Sequence, residues 1–132
     1  GRHVSALYRD TVARLALHDL MISAHGGIRG VRDAHLLDSA LAKPQNQFAY
    51  GNPALIDMAA SYTAGVVKNH PFLDGNKRTG FMLGVGFLEL NGCRVHATEA
   101  EAAVRTLALA AGEMTEAAYA AWLGANSQPA DL

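Results

Sequence analysis

The eleven residues from His70 to Gly80 read His-Pro-Phe-Leu-Asp-Gly-Asn-Lys-Arg-Thr-Gly. They place an imidazole, a carboxylate, an amide, an ammonium and a guanidinium within nine consecutive positions, His70 to Arg78. The apolar stretch Phe81 to Leu90 follows at once. A helix start offers unpaired backbone N–H groups and the positive end of a dipole, both suited to phosphate. Lys77 and Arg78 add charge there, although cations at a helix start oppose the dipole by about 0.3–1 kcal/mol. That placement is easier to understand if an anion occupies the site. Asp74 is either a cap for the helix or a ligand holding Mg²⁺ against phosphate oxygens. Gly75 lets main-chain N–H groups approach a phosphate, and Asn76 suits a helix cap, a phosphate donor, or both. A lone histidine is usually structural. Ahead of these partners, His70 is better read as a general base, because an imidazole exchanges protons near neutrality. Phe72 reads as an apolar anchor for the loop. The chemistry indicated is phosphoryl or nucleotidyl transfer.

The string resembles the signature of the Fic/Doc superfamily, His-x-Phe-x-Asp/Glu-Gly-Asn-Gly-Arg-x-x-Arg in its AMP-transferring Fic branch. His70, Phe72, Asp74, Gly75, Asn76 and Arg78 match at the right spacing. Lys77 replaces the second small residue and Phe81 the final arginine. Both departures resemble the Doc, or death-on-curing, toxin branch. The similarity continues upstream through Gly26-Gly27, Arg29 to Asp33, Leu36 to Gln45 and Phe48 to Gly51, covering roughly residues 5 to 95.

The resemblance implies an all-α fold, a compact helical bundle around a buried central helix with a small loop or hairpin flap. Phe48 and Tyr50 fall where such a flap would align a target peptide; a hydrophobic patch closing the core is an equal alternative. Fic enzymes attack the α-phosphate of ATP and transfer AMP. Lys77 in place of glycine recharges the anion pocket, and Phe81 removes a further phosphate contact. Doc enzymes bind ATP the other way round and transfer the γ-phosphate. The expectation is therefore the toxin of a type II toxin-antitoxin system. It is a protein kinase that uses Mg²⁺ and ATP to phosphorylate a Ser/Thr hydroxyl of elongation factor Tu, stopping translation. In this reading His70 is the base, Asp74 the metal ligand, and Gly75, Asn76, Lys77 and Arg78 the phosphate clamp, with Asp74, Lys77 and Arg78 sharing the catalysis. An AMP transferase on the same fold is the alternative; a non-catalytic binding module is a third reading, although every acid, base and clamp position is filled.

Control is expected from outside. Many Fic proteins restrain themselves with a Ser/Thr-x-x-x-Glu-Gly/Asn helix whose glutamate pairs with the motif's last arginine. None of Glu89, Glu99, Glu101, Glu113 and Glu116 precedes Gly or Asn. By resemblance the partner is a Phd-like antitoxin whose C-terminal segment folds into an apolar groove near the first helices and the flap.

Composition bounds these readings. At 132 residues the chain is expected to be one domain, with a core over about 5–125 and a polar tail over 126–132. Half the residues are hydrophobic and 17% are charged, which predicts a folded chain. A net charge of −1 gives no basic face for nucleic acid. A single cysteine, Cys93, excludes an internal disulfide and fits a reducing, cytoplasmic setting. It reads as a small buried residue. The run Phe81 to Leu88 is far short of the roughly 20 residues that cross a bilayer, and no signal-peptide pattern is recognised. His3, His18, His25, His35 and His96 lack a metal-ligand spacing.

Helices position the motif. Ser5 caps a first helix that stops at Gly26-Gly27. Asp33 starts a second, running to Ala42 and closed before Pro44. Residues 45 to 51 are a loop or hairpin, and Asn52-Pro53 opens a helix to about Val67. The helix over 79–90 is apolar all round and so is expected at the centre, with Gly80, Gly84 and Gly86 admitting close neighbours. Thr98 and Glu101 predict a capping box, Thr115 starts a last helix, and the tail from Asn126 is expected to fray.

Overall fold

The computed structural model describes residues 32–50, 54–71 and 75–129, with the side chains of Ala34 and of 45–50 outside that description. The expected first helix from Ser5, its stop at Gly26-Gly27 and the Asn52-Pro53 cap lie outside the described residues, as do residues 130–132. What is described is all-α with one small sheet. The helices are α1 (Ala34–Tyr50), α2 (Leu55–Asn69), α3 (Asn76–Leu90), α4 (Glu99–Ala110) and α5 (Glu116–Ala125). Strand β1 (Cys93–Val95) pairs antiparallel with β2 (Ser127–Pro129), Arg94 opposite Gln128.

The centre is α2, not α3 as its sequence predicts. Every residue of α2 from Met58 to Val67 is buried, and α1, α3, α4 and α5 all pack on it. By contrast Met82 and Leu90 of α3 are 59% and 50% exposed. The polar residues of α2 disguise it in sequence; the Ser61 hydroxyl is buried without a hydrogen-bond partner among the described residues, whereas its neighbours are engaged. The Thr63 hydroxyl donates to the Gly80 carbonyl at 2.8 Å. Tyr62 stacks at a tilt on Phe87, ring centroids 5.0 Å apart. On the far side the Tyr119 hydroxyl meets Thr106 at 3.3 Å. Burial pushes the Tyr119 phenol above its usual pKa, and its hydrogen bonds to Thr106 and Thr63 oppose that shift.

Two glycines bring α3 against α2. A Cβ on Gly84 would stand 2.5 Å from Thr63 Oγ1 and 2.9 Å from the Ala59 carbonyl. One on Gly80 would meet Val67 at 2.9 Å. Because 80 faces 63–67 and 84 faces 59–63, the two helices run antiparallel.

Local signals act largely as expected. Asp33 accepts from the His35 and Leu36 N–H groups and starts α1. Thr98 and Thr115 accept from the third residue onward at the starts of α4 and α5. Glu101 does not complete the expected box; its carboxylate accepts instead from the Trp122 indole at 2.9 Å.

Two further expectations are overturned. Helix α1 does not close before Pro44 but runs through it to Tyr50. Residues 45–50 are therefore helical, not a loop or hairpin. An internal proline costs about 3 kcal/mol, but Leu37, Ala40, Leu41 and Pro44 form one buried stripe at helical spacing. Packing of that stripe on α2, where Ala40 touches Gly65, outweighs the lost hydrogen bond. Nor does the chain fray from Asn126. Ser127 to Pro129 pair with β1, and the Asn126 carbonyl accepts from His96 N–H at 2.7 Å. Cys93 is half-buried on β1, against the core.

Candidate functional site

The candidate site is the junction where α2 ends and the antiparallel α3 begins. His70 ends α2 in the left-handed conformation, φ 52° and ψ 55°, with its N–H donating to the Val66 carbonyl. This is the one non-glycine positive φ among the described residues, and such strain persists only where the surroundings hold it. Here Arg32 holds it. Its Nε donates to the His70 carbonyl at 2.8 Å and its terminal nitrogen to the Asn69 carbonyl at 3.1 Å. The Pro71 carbonyl accepts from the backbone N–H groups of Arg32 and Asp33 at 2.7 and 3.1 Å. A cation beside the last carbonyls of α2 also matches that helix's dipole.

Across the turn, Gly75 is the N-cap of α3, with φ 73°. A side chain there would be strained, so the glycine is required by the turn. Asn76 is consequently the first residue inside the helix rather than its cap. Lys77 and Arg78 follow in the first turn, exposed, and no acidic residue shares it. Among the described residues neither cation forms an ion pair. The structure thus gathers His70, Gly75, Asn76, Lys77 and Arg78 at one end of the α2–α3 hairpin. Asp74 and Phe72 lie outside the described residues. No group of three His, Cys, Asp or Glu side chains suited to a metal exists among the described residues.

The side chains of Phe48 and Tyr50 lie outside the described residues. The two residues occupy the last turn of α1, which leads into the start of α2.

Sequence reasoning missed Arg32 as a site residue. Its partners are backbone carbonyls 37 and 38 positions away, which no local pattern reveals. It also missed a cavity of about 710 Å³ on the opposite face of α3, between that helix and α4, with Lys77 and Arg78 on its lining.

A family model described as the Fic/DOC family matches residues 9–88. The chain belongs to the Fic/DOC family. Among its relatives is "Protein kinase doc" of Escherichia phage P1, 33% identical over 107 residues, 80% of this chain and 84% of that protein. A second is "Toxin Doc" of Mycolicibacterium smegmatis, 43% identical over 77 residues, 56% of this chain and 58% of that protein. The match includes the whole α2–α3 junction, so the family resemblance and the geometry fall on the same residues. No helix among the described residues of this Fic/DOC chain is long and apolar enough to cross a membrane.

Proposed function

We propose that this chain is a Doc-like toxin that phosphorylates a protein hydroxyl, taking the γ-phosphate from Mg²⁺-bound ATP. The observation that carries the reading is the first turn of α3: Lys77 and Arg78, unopposed by any acid there, open a helix just beyond His70. A helix N-terminus with two cations in its first turn favours a polyphosphate. The similarity to a relative named a protein kinase supports phosphate rather than nucleotide as the transferred group.

The proposed step is a single displacement. The His70 imidazole accepts the proton of a target Ser/Thr hydroxyl as that oxygen attacks the γ-phosphorus. The bond from the γ-phosphorus to the β–γ bridging oxygen breaks, and ADP leaves with the electron pair. Lys77, Arg78 and the α3 N–H groups stabilise the charge that develops on the phosphates. Asp74 would hold Mg²⁺, which would supply further neutralisation of the phosphate charge. Arg32 touches no substrate in this scheme; it fixes the carbonyl of His70 and so the direction from which the imidazole acts.

By the family resemblance, the target is elongation factor Tu in the cytoplasm and the outcome arrested translation. Restraint comes from a separate Phd-like antitoxin. Labelled ATP tests the transfer. Label should pass to the target from the γ position and not from the α position; transfer of α label alone would make the enzyme an AMP transferase.

A further inference from the structure

Helices α2 and α3 carry separate halves of the step just described. The base, His70, ends α2, whereas the clamp cations Lys77 and Arg78 open α3. The α2–α3 contact joins these halves, and the buried hydroxyl of Thr63 crosses it. Thr63 stands two turns before His70 on α2, and its hydroxyl donates at 2.8 Å to the carbonyl of Gly80, two residues beyond Arg78. A Cβ on Gly84 would stand 2.5 Å from the same Thr63 Oγ1, so the hydroxyl fills the space that a side chain at 84 would take. Neither helix needs this bond for its own satisfaction. Inside α3 the Gly80 carbonyl has the N–H four residues on, and a helical threonine has the carbonyl four residues back as an acceptor. Thr63 donates across the interface instead. The apolar contact beside it, Val66 and Val67 against Gly80, has no preferred direction. A hydrogen bond has a preferred length and angle, so it fixes α3 both along and about its axis.

We propose that Thr63 is a positioning residue for phosphotransfer: its hydroxyl holds the clamp on α3 in the alignment with His70 on α2 that the transfer requires. The inference rests on the phosphotransfer reading and adds to it the group that aligns its two halves. Thr63 touches neither nucleotide nor target and acts through the backbone of α3. Arg32 acts differently, since it holds the His70 carbonyl at the end of α2. The division of labour between the helices has a kinetic signature. The phosphates are held at the start of α3, so a small shift of that helix carries the nucleotide with it and leaves its affinity intact. The attack needs groups of both helices, so the same shift misdirects the path between the imidazole, the target oxygen and the γ-phosphorus. Lost alignment is therefore read in kcat and not in KM for ATP.

Steady-state transfer of γ label from Mg²⁺-ATP to purified elongation factor Tu, with thermal unfolding of each chain measured in parallel, tests this. Thr63→Val keeps the shape and removes the donor. It should lower kcat about tenfold and change KM for ATP by less than about twofold. Thr63→Ser keeps the donor and drops a methyl group; it should hold kcat within about threefold of the wild type, even where it melts earlier. Thr63→Ala adds no atom at the site and should lose kcat as Thr63→Val does, which gives the answer should Thr63→Val fail to fold. Added to His70→Asn, Thr63→Val should not reduce the residual transfer further, because no base is left to align. An unchanged kcat in Thr63→Val or Thr63→Ala, a rise in KM that accounts for the loss, a Thr63→Ser chain as impaired as Thr63→Val, or a full tenfold loss that persists with His70→Asn would overturn the assignment. In each of those outcomes the wild type still transfers γ label, so the phosphotransfer reading stands without Thr63. A wild type that transferred no γ label would overturn that reading and this assignment together.

Discussion

The two faces of α3 are built in opposite ways. Toward α2, Gly80 and Gly84 strip the helix to its backbone, and Thr63 fixes the gap with a buried hydrogen bond to the Gly80 carbonyl. Toward α4, Phe81 and Met82 stand off a cavity of about 710 Å³. The closed face packs α3 directly on α2, which ties the end of one helix, at His70, to the start of the other, at Lys77 and Arg78. The open face leaves a cavity beside the same cations. Stability should therefore reside on the closed face more than on the open one, with the chemistry at the turn.

Substitutions at the turn should separate chemistry from stability most widely. His70→Asn keeps a side chain that tolerates the left-handed conformation but removes the proton acceptor. It should fold with an almost unchanged melting temperature and lose transfer by about 10²–10⁴-fold. Normal transfer by this variant would remove His70 from the reaction.

On the closed face, Gly84→Ala forces a Cβ to within 2.9 Å of an immobile carbonyl and should cost about 2–3 kcal/mol by denaturant unfolding. Met82→Ala, on the open face, should cost less than about 1 kcal/mol, because Met82 is 59% exposed. Equal losses would mean that the faces do not differ as described.

Arg32 connects the turn to α1. Arg32→Ala should lower kcat about tenfold with little change in KM for ATP, because it acts through the position of His70. Arg32→Lys should rescue only partly, since an ammonium cannot reproduce the two directed guanidinium bonds. An unchanged kcat would reduce Arg32 to a helix cap.

The smallest effect expected lies beneath the α3–α4 cavity. Burial raises the Tyr119 pKa above its unfolded value of 10.0. The native state therefore holds the phenolic proton more tightly than the unfolded chain does. Its contribution is complete below pH 10 and declines as pH rises through 10 toward the folded pKa. Tyr119→Phe should cost about 1 kcal/mol at neutral pH through the lost hydrogen bond and should flatten the alkaline decline. A decline of undiminished slope would assign it to other groups.

The sequence displayed the turn clearly and the faces poorly. His70, Gly75, Lys77 and Arg78 were legible because their spacing is local, and the starts of α1, α4 and α5 because Asp33, Thr98 and Thr115 cap within three residues. The identity of the central helix was not legible. Helix α3 looks apolar all round, whereas α2 carries Ser61, Tyr62 and Thr63 and looks amphipathic; only tertiary hydrogen bonds reveal that α2 is the buried one. Pro44 and the strand at 127–129 misled for the same reason, since both depend on partners distant in the chain. Arg32 was hidden because it recognises backbone carbonyls, which have no sequence signature.

The central claim is that the α2–α3 turn directs a γ-phosphate to a protein hydroxyl. Intact-mass and fragment analysis of purified elongation factor Tu, incubated with this chain and Mg²⁺-ATP, tests it most directly. The account predicts the gain of one phosphate on a Ser or Thr side chain, absent with His70→Asn. The gain of AMP, or a phosphate that persists with His70→Asn, would contradict it.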